Sequence, residues 1–434
     1  MTTFVTGAVG VLRHRARNHL NASLLAAHRR LFSSPGSVLR LDEMTGTWVV
    51  YASGRQDRPK QTASSSSSLK RRLADLPSHL EGCPFCAGNE HMTPDVLLSV
   101  GDRMRVVPNK FPAVDPLETS HIRLGGERCS FADKHPLNNE IPAVGFHEVV
   151  IESPYHNHHV AAAPDRGHAR DLLTAFRERG LAHRLAEVAL PPSADYADDD
   201  VSAPPRRIEH TVFFKNHGAT AGASLDHPHS QIVSTPVVPV EAQRLQSLAL
   251  GYFRKNRVNL YEKVAVEEMV LFEGGLGGGG GANASRVVDF SENFVAVVPY
   301  ASPGPYVITI FPRYGGDGTL DGTAVDCSDF TSCTDDLLDE CAAVLHSCLS
   351  RLHVLLDEPC FNLVVQTAPV PGRGVQAAAR SSAFFRWHIR ITPRLGAGAM
   401  AGFELGSGFF SNSHMPEDDA AELRAVRPFT DTDG

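Results

Sequence analysis

The residues best suited to chemistry lie between Ser224 and Gln231, in the string Ser-Leu-Asp-His-Pro-His-Ser-Gln. This string is preceded by an apolar run and then a glycine-bearing loop, and an apolar pair follows the string. The pattern predicts a strand, a turn and a second strand. His227, His229 and Gln231 alternate and would share one side of a regular strand, although Pro228 favours a strand's beginning or edge. A neutral imidazole is a nucleophile near pH 7, and loop N–H groups can bind phosphate oxygens. Gln231 donates a hydrogen bond but no proton, which suits a transferase that expels a stable anion.

A second reactive pattern is the Cys-Pro-Phe-Cys string of Cys83 and Cys86. The spacing fits a zinc knuckle or a redox pair, but Gly88-Asn89 predicts a turn where a thioredoxin-like site needs a helix. A structural zinc ion needs four ligands, so two more would come from distant residues. The sequence pattern leaves the choice open among His91, His147, His156, His158, His159 and His227.

Composition excludes several classes of protein. The 434 residues are long enough for two or three domains, and 42% hydrophobic with 21% charged residues is ordinary for a globular protein. A net charge of −8 argues against a broad nucleic-acid surface, and no apolar run is long enough to span a bilayer. Eight cysteines are too few for a disulfide scaffold, and Cys341 and Cys348 sit in a helical apolar pattern typical of a core.

The amino-terminal segment 1–41 contains arginine, serine, leucine and alanine but no Asp or Glu. This composition is typical of an organelle transit peptide, with a suitable cleavage region at residues 30–34. It predicts a mitochondrial or plastid matrix protein. The alternative is a disordered basic leader on a cytoplasmic protein.

The rest of the chain alternates strands with two long helices. Both halves run strand, helix, strand, loop and a strand that carries a histidine, which indicates a faint internal repeat. We predict exposed or flexible insertions at 64–68, 191–205 and 274–281, and caps at Asp165 and Thr334 for the two helices. The predicted strands lie at 48–51, 105–108, 145–152, 212–214, 294–298, 306–311, 361–366 and 387–391, and the helices run from Leu172 to Val188 and from Leu337 to Leu355.

Several strings along the chain form a recognisable set. They are R-x-x-R-P from Arg55, CPFC, RVVPNKFPAV from Arg105, GFHEVVIESPYH from Gly145, FKNHGATAGASLDHPHSQ from Phe214, RWHIRITPRL from Arg386 and AGFELGSGF from Ala401. Together they resemble the galactose-1-phosphate uridylyltransferase family of the histidine-triad superfamily, including its plant-type ADP-glucose phosphorylase relatives.

The resemblance covers residues from about 42 to 425. It implies an α+β fold of two tandem histidine-triad-like halves, each a mainly antiparallel sheet with helices packed on it. The implied division is a leader at 1–41, a catalytic domain at 42–240, a second domain at 241–425 and a tail at 426–434.

The resemblance also implies roles for individual residues. His229 would be the nucleophile that takes the nucleotidyl group, and Gln231 would assist it at the phosphate. Cys83, Cys86, His156 and His227 would hold one structural zinc ion. Nucleotide or phosphate contacts would come from Arg55, Arg58, Asn109, Asn216 and Ser224, and hexose contacts from Gly402, Phe403 and Glu404.

The second half departs from the family pattern. Some members carry another metal site there, but its cysteine pair is missing around 258–268. Asn293 stands where a histidine is common, and Arg386 replaces the first histidine before Trp387-His388. We therefore expect a noncatalytic second half without a complete metal site, in which Arg386 supplies part of the lost stabilisation.

The implied reaction moves a nucleoside monophosphate between hexose 1-phosphates through a covalent histidine intermediate. The first expectation is UDP-glucose with galactose 1-phosphate, in galactose metabolism. The alternatives are ADP-glucose phosphorolysis and a nucleotide-binding protein without turnover. The expected partners are a nucleotide-sugar, a hexose 1-phosphate and a second copy of the chain, with no nucleic acid and no membrane.

Overall fold

The structure is a computed structural model, and every structural statement below concerns the residues that it describes. These are residues 38–51, 75–114, 145–162, 166–186, 208–276, 285–313, 319–320, 323–324, 326–370, 381–395 and 402–429. The predicted insertions at 64–68 and 191–205, the predicted cap Asp165 and most of the leader lie outside them.

The fold is α+β and centres on one ten-stranded antiparallel sheet, with strand order β3-β4-β5-β7-β6-β13-β14-β10-β9-β8. A three-stranded sheet, β1-β2-β15, lies beside it, and β11 and β12 form a small hairpin. The strands are β1 Val38–Asp42, β2 Thr47–Tyr51, β3 Leu98–Val100, β4 Met104–Pro108, β5 Phe146–Ile151, β6 His210–His217, β7 His229–Thr235, β8 Val287–Phe290, β9 Phe294–Val297, β10 Ile308–Pro312, β11 Thr319–Leu320, β12 Thr323–Ala324, β13 Phe361–Gln366, β14 His388–Pro393 and β15 Phe410–Asn412.

The strand order of the large sheet is symmetric about the junction of β6 and β13. These strands pair antiparallel, with Phe361 opposite His217 and Val365 opposite Phe213. On either side follow the histidine-bearing strands, β7 and β14, and then β5 and β10. This order agrees with two tandem halves, but the halves share one continuous sheet because their inner strands are hydrogen-bonded to each other.

Helices cover the two faces of the sheet unequally. α1 and α4 pack on one face over a core that contains Phe176, Phe213 and Trp387. α2 and α3 cover the opposite face of the second half, where Tyr261 packs against Phe311. The described helices are α1 Gly167–Leu185, α2 Val240–Asn256, α3 Leu260–Leu276, α4 Asp335–Leu355, α5 Gly402–Ser407 and α6 Pro416–Ala425.

The corresponding face of the first half carries a much smaller apolar cluster. It consists of Val107, Val149 and Ile151 with Phe85 packed against them. The carboxyl-terminal half of the chain supplies both α2 and α3, and neither helix belongs to this small cluster. No α-helix of the described residues contributes to this cluster, and we call this side of the first half the open face.

The first and last described strands of the chain lie in the small sheet. β15 pairs parallel with β2, placing Phe410 opposite Val49. Arg40 forms an ion pair with Glu417, and both side chains are buried. Strand β1 thus includes residues 38–41, which the sequence analysis assigned to the end of the leader, and it packs against the carboxyl-terminal helix α6.

The predicted strands and both long helices are confirmed within a few residues. The Thr334 hydroxyl caps α4 by accepting a hydrogen bond from the Leu337 amide, and Cys341 and Cys348 are fully buried. One interpretation was wrong: Gly274, predicted to open a flexible insertion, lies in the last turn of α3. Helices α2 and α3 were missed, although their buried residues follow a helical spacing. No helix in the described residues is long and apolar enough to cross a membrane.

Candidate active site and metal centre

His229 is the first residue of β7, and its side chain is buried on the open face. Its Nδ1–H donates to the carbonyl of His227 at 2.8 Å, which leaves Nε2 as the unprotonated nitrogen of the neutral ring. Burial lowers the pKa of His229, and the nearby Lys215 charge lowers it further. The imidazole is therefore neutral at pH 7, with its Nε2 lone pair available for attack.

A buried ion pair holds the backbone on both sides of His229. The Glu152 amide donates to the carbonyl of Pro228 at 3.1 Å, and Lys215 Nζ donates to the carbonyl of His229 at 3.4 Å. Lys215 also bonds Glu152 Oε1 at 2.8 Å, and the Ser230 hydroxyl donates to the same oxygen at 2.5 Å. Three consecutive residues of the motif are thus fixed by one acid and one lysine.

Gln231 shares the open face with His229, as alternation along β7 requires. His147 Nε2 lies 2.9 Å from Gln231 Oε1 and 3.0 Å from Asn109 Nδ2. Asn109 follows β4, and its amide donates to the His147 carbonyl at 2.8 Å. The ring of Phe85, from the Cys-Pro-Phe-Cys loop, lies 5.5 Å from the His229 ring. This face therefore combines a neutral imidazole with an unprotonated nitrogen, two side-chain amides and an aromatic ring.

The loop between β6 and β7 is tightly turned beside this face. Gly218 and Gly222 have φ angles of 81° and 89°, which favour glycine, and a Cβ on Gly218 would lie 2.2 Å from Cys360 Sγ. Asn362 Nδ2 donates to both Asn216 Oδ1 and the Ala221 carbonyl, each at 2.8 Å. The second half, through Asn362, thus holds the predicted phosphate contact Asn216 in place.

Cys83, Cys86, His156 and His227 form a buried cluster whose ligand atoms all lie within 4.8 Å of one another. Cys86 Sγ lies 3.6 Å from the Nδ1 atoms of both His156 and His227. A tetrahedral zinc ion with ordinary Zn–S and Zn–N bonds would separate a sulfur and a nitrogen ligand by about 3.5 Å. The donor set and its spacing therefore fit a four-coordinate metal ion.

The surroundings of the cluster also fit a metal. His227 Nε2–H donates to the Ser153 carbonyl at 2.9 Å, which leaves Nδ1 for an ion, and the Leu80 amide points at Cys86 Sγ at 3.4 Å. Burial lowers the pKa of His227 to about 4 and also lowers the pKa of His156, so both rings are neutral. Of the other histidines left open by the sequence, His91, His147, His158 and His159 are not part of the cluster.

The second half carries a counterpart of the His229 arrangement. His388 begins β14, and its Nδ1–H donates to the Arg386 carbonyl two residues earlier at 3.1 Å. Arg386 itself is fully buried, forms an ion pair with Glu262 at the start of α3 and donates to the Phe385 carbonyl. Asn293 bonds Glu340 through its backbone amide and side chain. An ion pair thus joins the start of α3 to the segment that leads into β14.

The remaining predicted site residues are placed differently. Arg55 and Arg58 lie outside the described residues. Ser224 is exposed beside the motif. Gly402, Phe403 and Glu404 begin helix α5, and the hydrogen bonds and ring contacts of the described residues do not join this helix to His229 or Gln231.

Sequence reasoning missed Glu152 and Lys215, although the pattern contained a signal for them. Lys215 follows Phe213 by two residues in β6, and Glu152 follows Val150 by two residues, so both lie at core-facing positions. Charged residues are almost never fully buried unless they are paired. The alternation therefore predicts that both charges are buried and need partners, although it does not say which residues those partners are.

Comparisons with known proteins agree with this geometry. Residues 34–239 match the family model described as galactose-1-phosphate uridyl transferase, N-terminal domain. ADP-glucose phosphorylase of Arabidopsis thaliana is 28% identical over 89% of this chain and 92% of its own length. Residues 34–239 therefore carry the N-terminal domain of the galactose-1-phosphate uridylyltransferase family, and the resemblance extends over most of the chain.

Two further comparisons, one of sequence and one of structure, cover nearly the whole chain. The galactose-1-phosphate uridylyltransferase of Thermotoga maritima is 24% identical over 89% of this chain and 97% of its own length. The crystal structure of an Arabidopsis thaliana ADP-glucose phosphorylase with bound ADP-glucose superposes with a TM-score of 0.65, at 25% identity, over 90% of this chain and 100% of that one. The similarity therefore extends over both halves of the fold.

Proposed function

We propose that this nucleotidyltransferase moves a nucleoside monophosphate between sugar phosphates through a covalent bond to His229. Nε2 attacks the α-phosphorus of a nucleotide-sugar, so that a P–N bond forms while the P–O bond to the hexose 1-phosphate breaks. An oxygen of the second sugar phosphate then attacks the same phosphorus and releases His229. The observation that carries this proposal is the Nδ1 hydrogen bond, which leaves Nε2 as the free nucleophile on the open face.

Gln231 and the loop amides would bind the transferring phosphate. Gln231 supplies no proton, so release of a hexose 1-phosphate depends on its own stability as an anion. Asn109, Asn216, Arg55 and Arg58 would contact the nucleotide or its phosphates. The hexose would bind Gly402, Phe403 and Glu404. Because the described residues show no bond between α5 and the His229 site, we propose that a homodimer supplies this segment from the second copy.

The substrate pair that we propose is UDP-glucose and galactose 1-phosphate. ADP-glucose phosphorolysis is a second candidate, which the 28% identity to an ADP-glucose phosphorylase favours. In that reaction inorganic phosphate replaces the sugar phosphate as the acceptor. The covalent chemistry at His229 is the same in both.

We expect the protein to become labelled when it is incubated with its nucleotide-sugar alone. Separate incubations with UDP-glucose and ADP-glucose, each radiolabelled in the α-phosphate, will identify the base by the adduct that forms faster. Because the nucleotidyl group rests on the enzyme between two half-reactions, double-reciprocal plots should be parallel. Intersecting lines, or no adduct with either nucleotide-sugar, would contradict the proposal.

We propose that the metal held by Cys83, Cys86, His156 and His227 is one structural zinc ion. Four protein ligands leave no open coordination position, so the ion takes no part in the reaction. Its effect is mechanical, because it ties the Cys-Pro-Phe-Cys loop and His156 to His227, two residues before the nucleophile. Phe85, between the two cysteines, is thereby held against His229.

Metal analysis of the purified protein should therefore give about one zinc per chain. Cys86→Ser should lose most of that zinc, because a serine hydroxyl is a poor ligand beside three soft or borderline donors. Cys360→Ser is the matched control, since Cys360 lies outside the cluster, and should retain the ion. Two ions per chain, or full zinc content in Cys86→Ser, would show that the site is misassigned.

A further inference from the structure

The side chain of His147 connects a backbone amide to Gln231. His147 Nδ1 accepts a hydrogen bond from the Ala113 amide at 2.9 Å, and Nε2 lies 2.9 Å from Gln231 Oε1. A backbone N–H can only donate, so Nδ1 carries no proton. The proton of the neutral imidazole is therefore on Nε2, where it donates to the Gln231 oxygen.

This bond decides which way the Gln231 amide points. A terminal amide has two orientations that exchange its oxygen and nitrogen, and its hydrogen-bond partners select between them. Asn109 Nδ2 lies 3.0 Å from the same His147 nitrogen, but it is a donor and cannot accept the proton. Gln231 is thus held with its oxygen toward His147 and its NH₂ group turned to the other side.

The strand register places this arrangement on the face of the nucleophile. Ile151 pairs with His229 and Val149 pairs with Gln231, so His147 lies one pleat further along the same face of β5. His147 is half-buried, whereas His229 is 6% exposed. His147 therefore takes no part in the hydrogen bond that fixes His229, and it contacts the site through Gln231.

We propose that His147 is a positioning residue that holds the donor group of Gln231 toward the transferring phosphate. The Ala113 amide fixes the tautomer of His147, and this tautomer fixes the orientation of the Gln231 side-chain amide. The inference rests on the proposed function, since it assumes that Gln231 binds the phosphate. Without His147 the Gln231 oxygen would face the phosphate in part of the molecules, where it repels the anion.

Three substitutions at His147 separate this role from simple packing. In His147→Gln an amide nitrogen can occupy about the place of Nε2 and donate to Gln231, so the rate of adduct formation should stay near that of the parent. His147→Asn is one bond shorter, and His147→Phe has no donor. Both should slow adduct formation about tenfold, the effect of losing one orienting hydrogen bond. His414→Phe, a half-exposed histidine bonded to Asp419, is the control and should change nothing.

A double-mutant cycle tests whether His147 acts through Gln231. Gln231→Ala alone should slow adduct formation about 10²-fold, as loss of a preorganised donor does. Adding His147→Phe to Gln231→Ala should cause no further loss, because the amide that His147 orients is already gone. Effects that multiply to about 10³-fold, or a His147→Gln variant as slow as His147→Phe, would overturn the inference.

A spectroscopic readout keeps the test independent of turnover. Long-range ¹H–¹⁵N spectra of the histidine-labelled protein, assigned by difference with His147→Phe, should show His147 protonated at Nε2 and unprotonated at Nδ1. Protonation at Nδ1 would overturn the inference even in an active enzyme. Absence of any adduct on the parent protein, with the Nε2–H tautomer present, would instead count against the proposed function and leave the orientation of Gln231 established.

Discussion

His229→Ala is expected to abolish the covalent adduct and to lower turnover by about 10⁴- to 10⁶-fold, the range seen when a nucleophile is removed. The substitution removes the one imidazole nitrogen that the Nδ1 hydrogen bond leaves free for attack. The alanine methyl group can make neither the covalent bond nor the bond to the His227 carbonyl. The measurement is trapped label per chain and steady-state turnover with the preferred nucleotide-sugar.

His229→Gly provides the matching control. It removes the same ring but leaves space, so added imidazole should restore part of the transfer without labelling the protein. Zinc content and the free energy of unfolding should remain near those of the parent, because the metal ligands are untouched. Near-parental turnover by His229→Ala would show that another residue is the nucleophile.

Lys215→Met is expected to lower the free energy of unfolding by about 3–5 kcal/mol, the cost of leaving a buried charge unpaired. Lys215 and Glu152 are 1% and 0% exposed, so water cannot replace the lost partner. Lys263→Met is the matched control, because its ion pair with Glu267 is exposed and should contribute less than about 1 kcal/mol. Urea denaturation followed by tryptophan fluorescence measures all three proteins.

The double variant Lys215→Met/Glu152→Gln tests whether the unpaired Glu152 carboxylate causes the loss of stability in Lys215→Met. It removes both charges and should recover a large part of the lost stability. Its nucleotidylation rate should remain below that of the parent, because the His229 carbonyl has lost its Lys215 bond. A double variant as unstable as Lys215→Met would show that the loss comes from packing and not from the unpaired carboxylate.

The loss of unfolding free energy in Lys215→Met should depend on pH in a definite direction. Burial alone raises the pKa of Glu152, but the Lys215 charge and the hydrogen bonds to the carboxylate outweigh burial and hold that pKa below its ordinary value. Such a carboxylate contributes stability above its ordinary pKa of about 4.3, and the contribution is lost as the pH falls through the folded pKa. The part of the difference between parent and Lys215→Met that comes from this lowered pKa should therefore stay constant from pH 7 to about 4.3 and shrink only as the pH falls below that value.

Local patterns in the sequence determined most of the secondary structure and the position of His229 in its strand. Alternating apolar residues specify β5, β6 and β13, and the Thr334 cap specifies the start of α4, because these signals depend on neighbours in the chain. The order of residues in the histidine motif places His229 and Gln231 on one side of a strand. That relation follows from a period of two and needs no tertiary contact.

Only the tertiary structure determined which residues distant in the chain become metal ligands, strand neighbours or hydrogen-bond partners. Six histidines were possible metal ligands, and the fold brings His156 and His227 to Cys86 because Cys83–Cys86, the end of β5 and the start of β7 converge. The merging of the two halves through β6 and β13, and the pairing of β15 with β2, likewise join segments that no local pattern relates. The same holds for Glu152 with Lys215 and for His147 with Gln231, because a hydrogen bond depends on register between strands, which side-chain alternation within one strand does not specify.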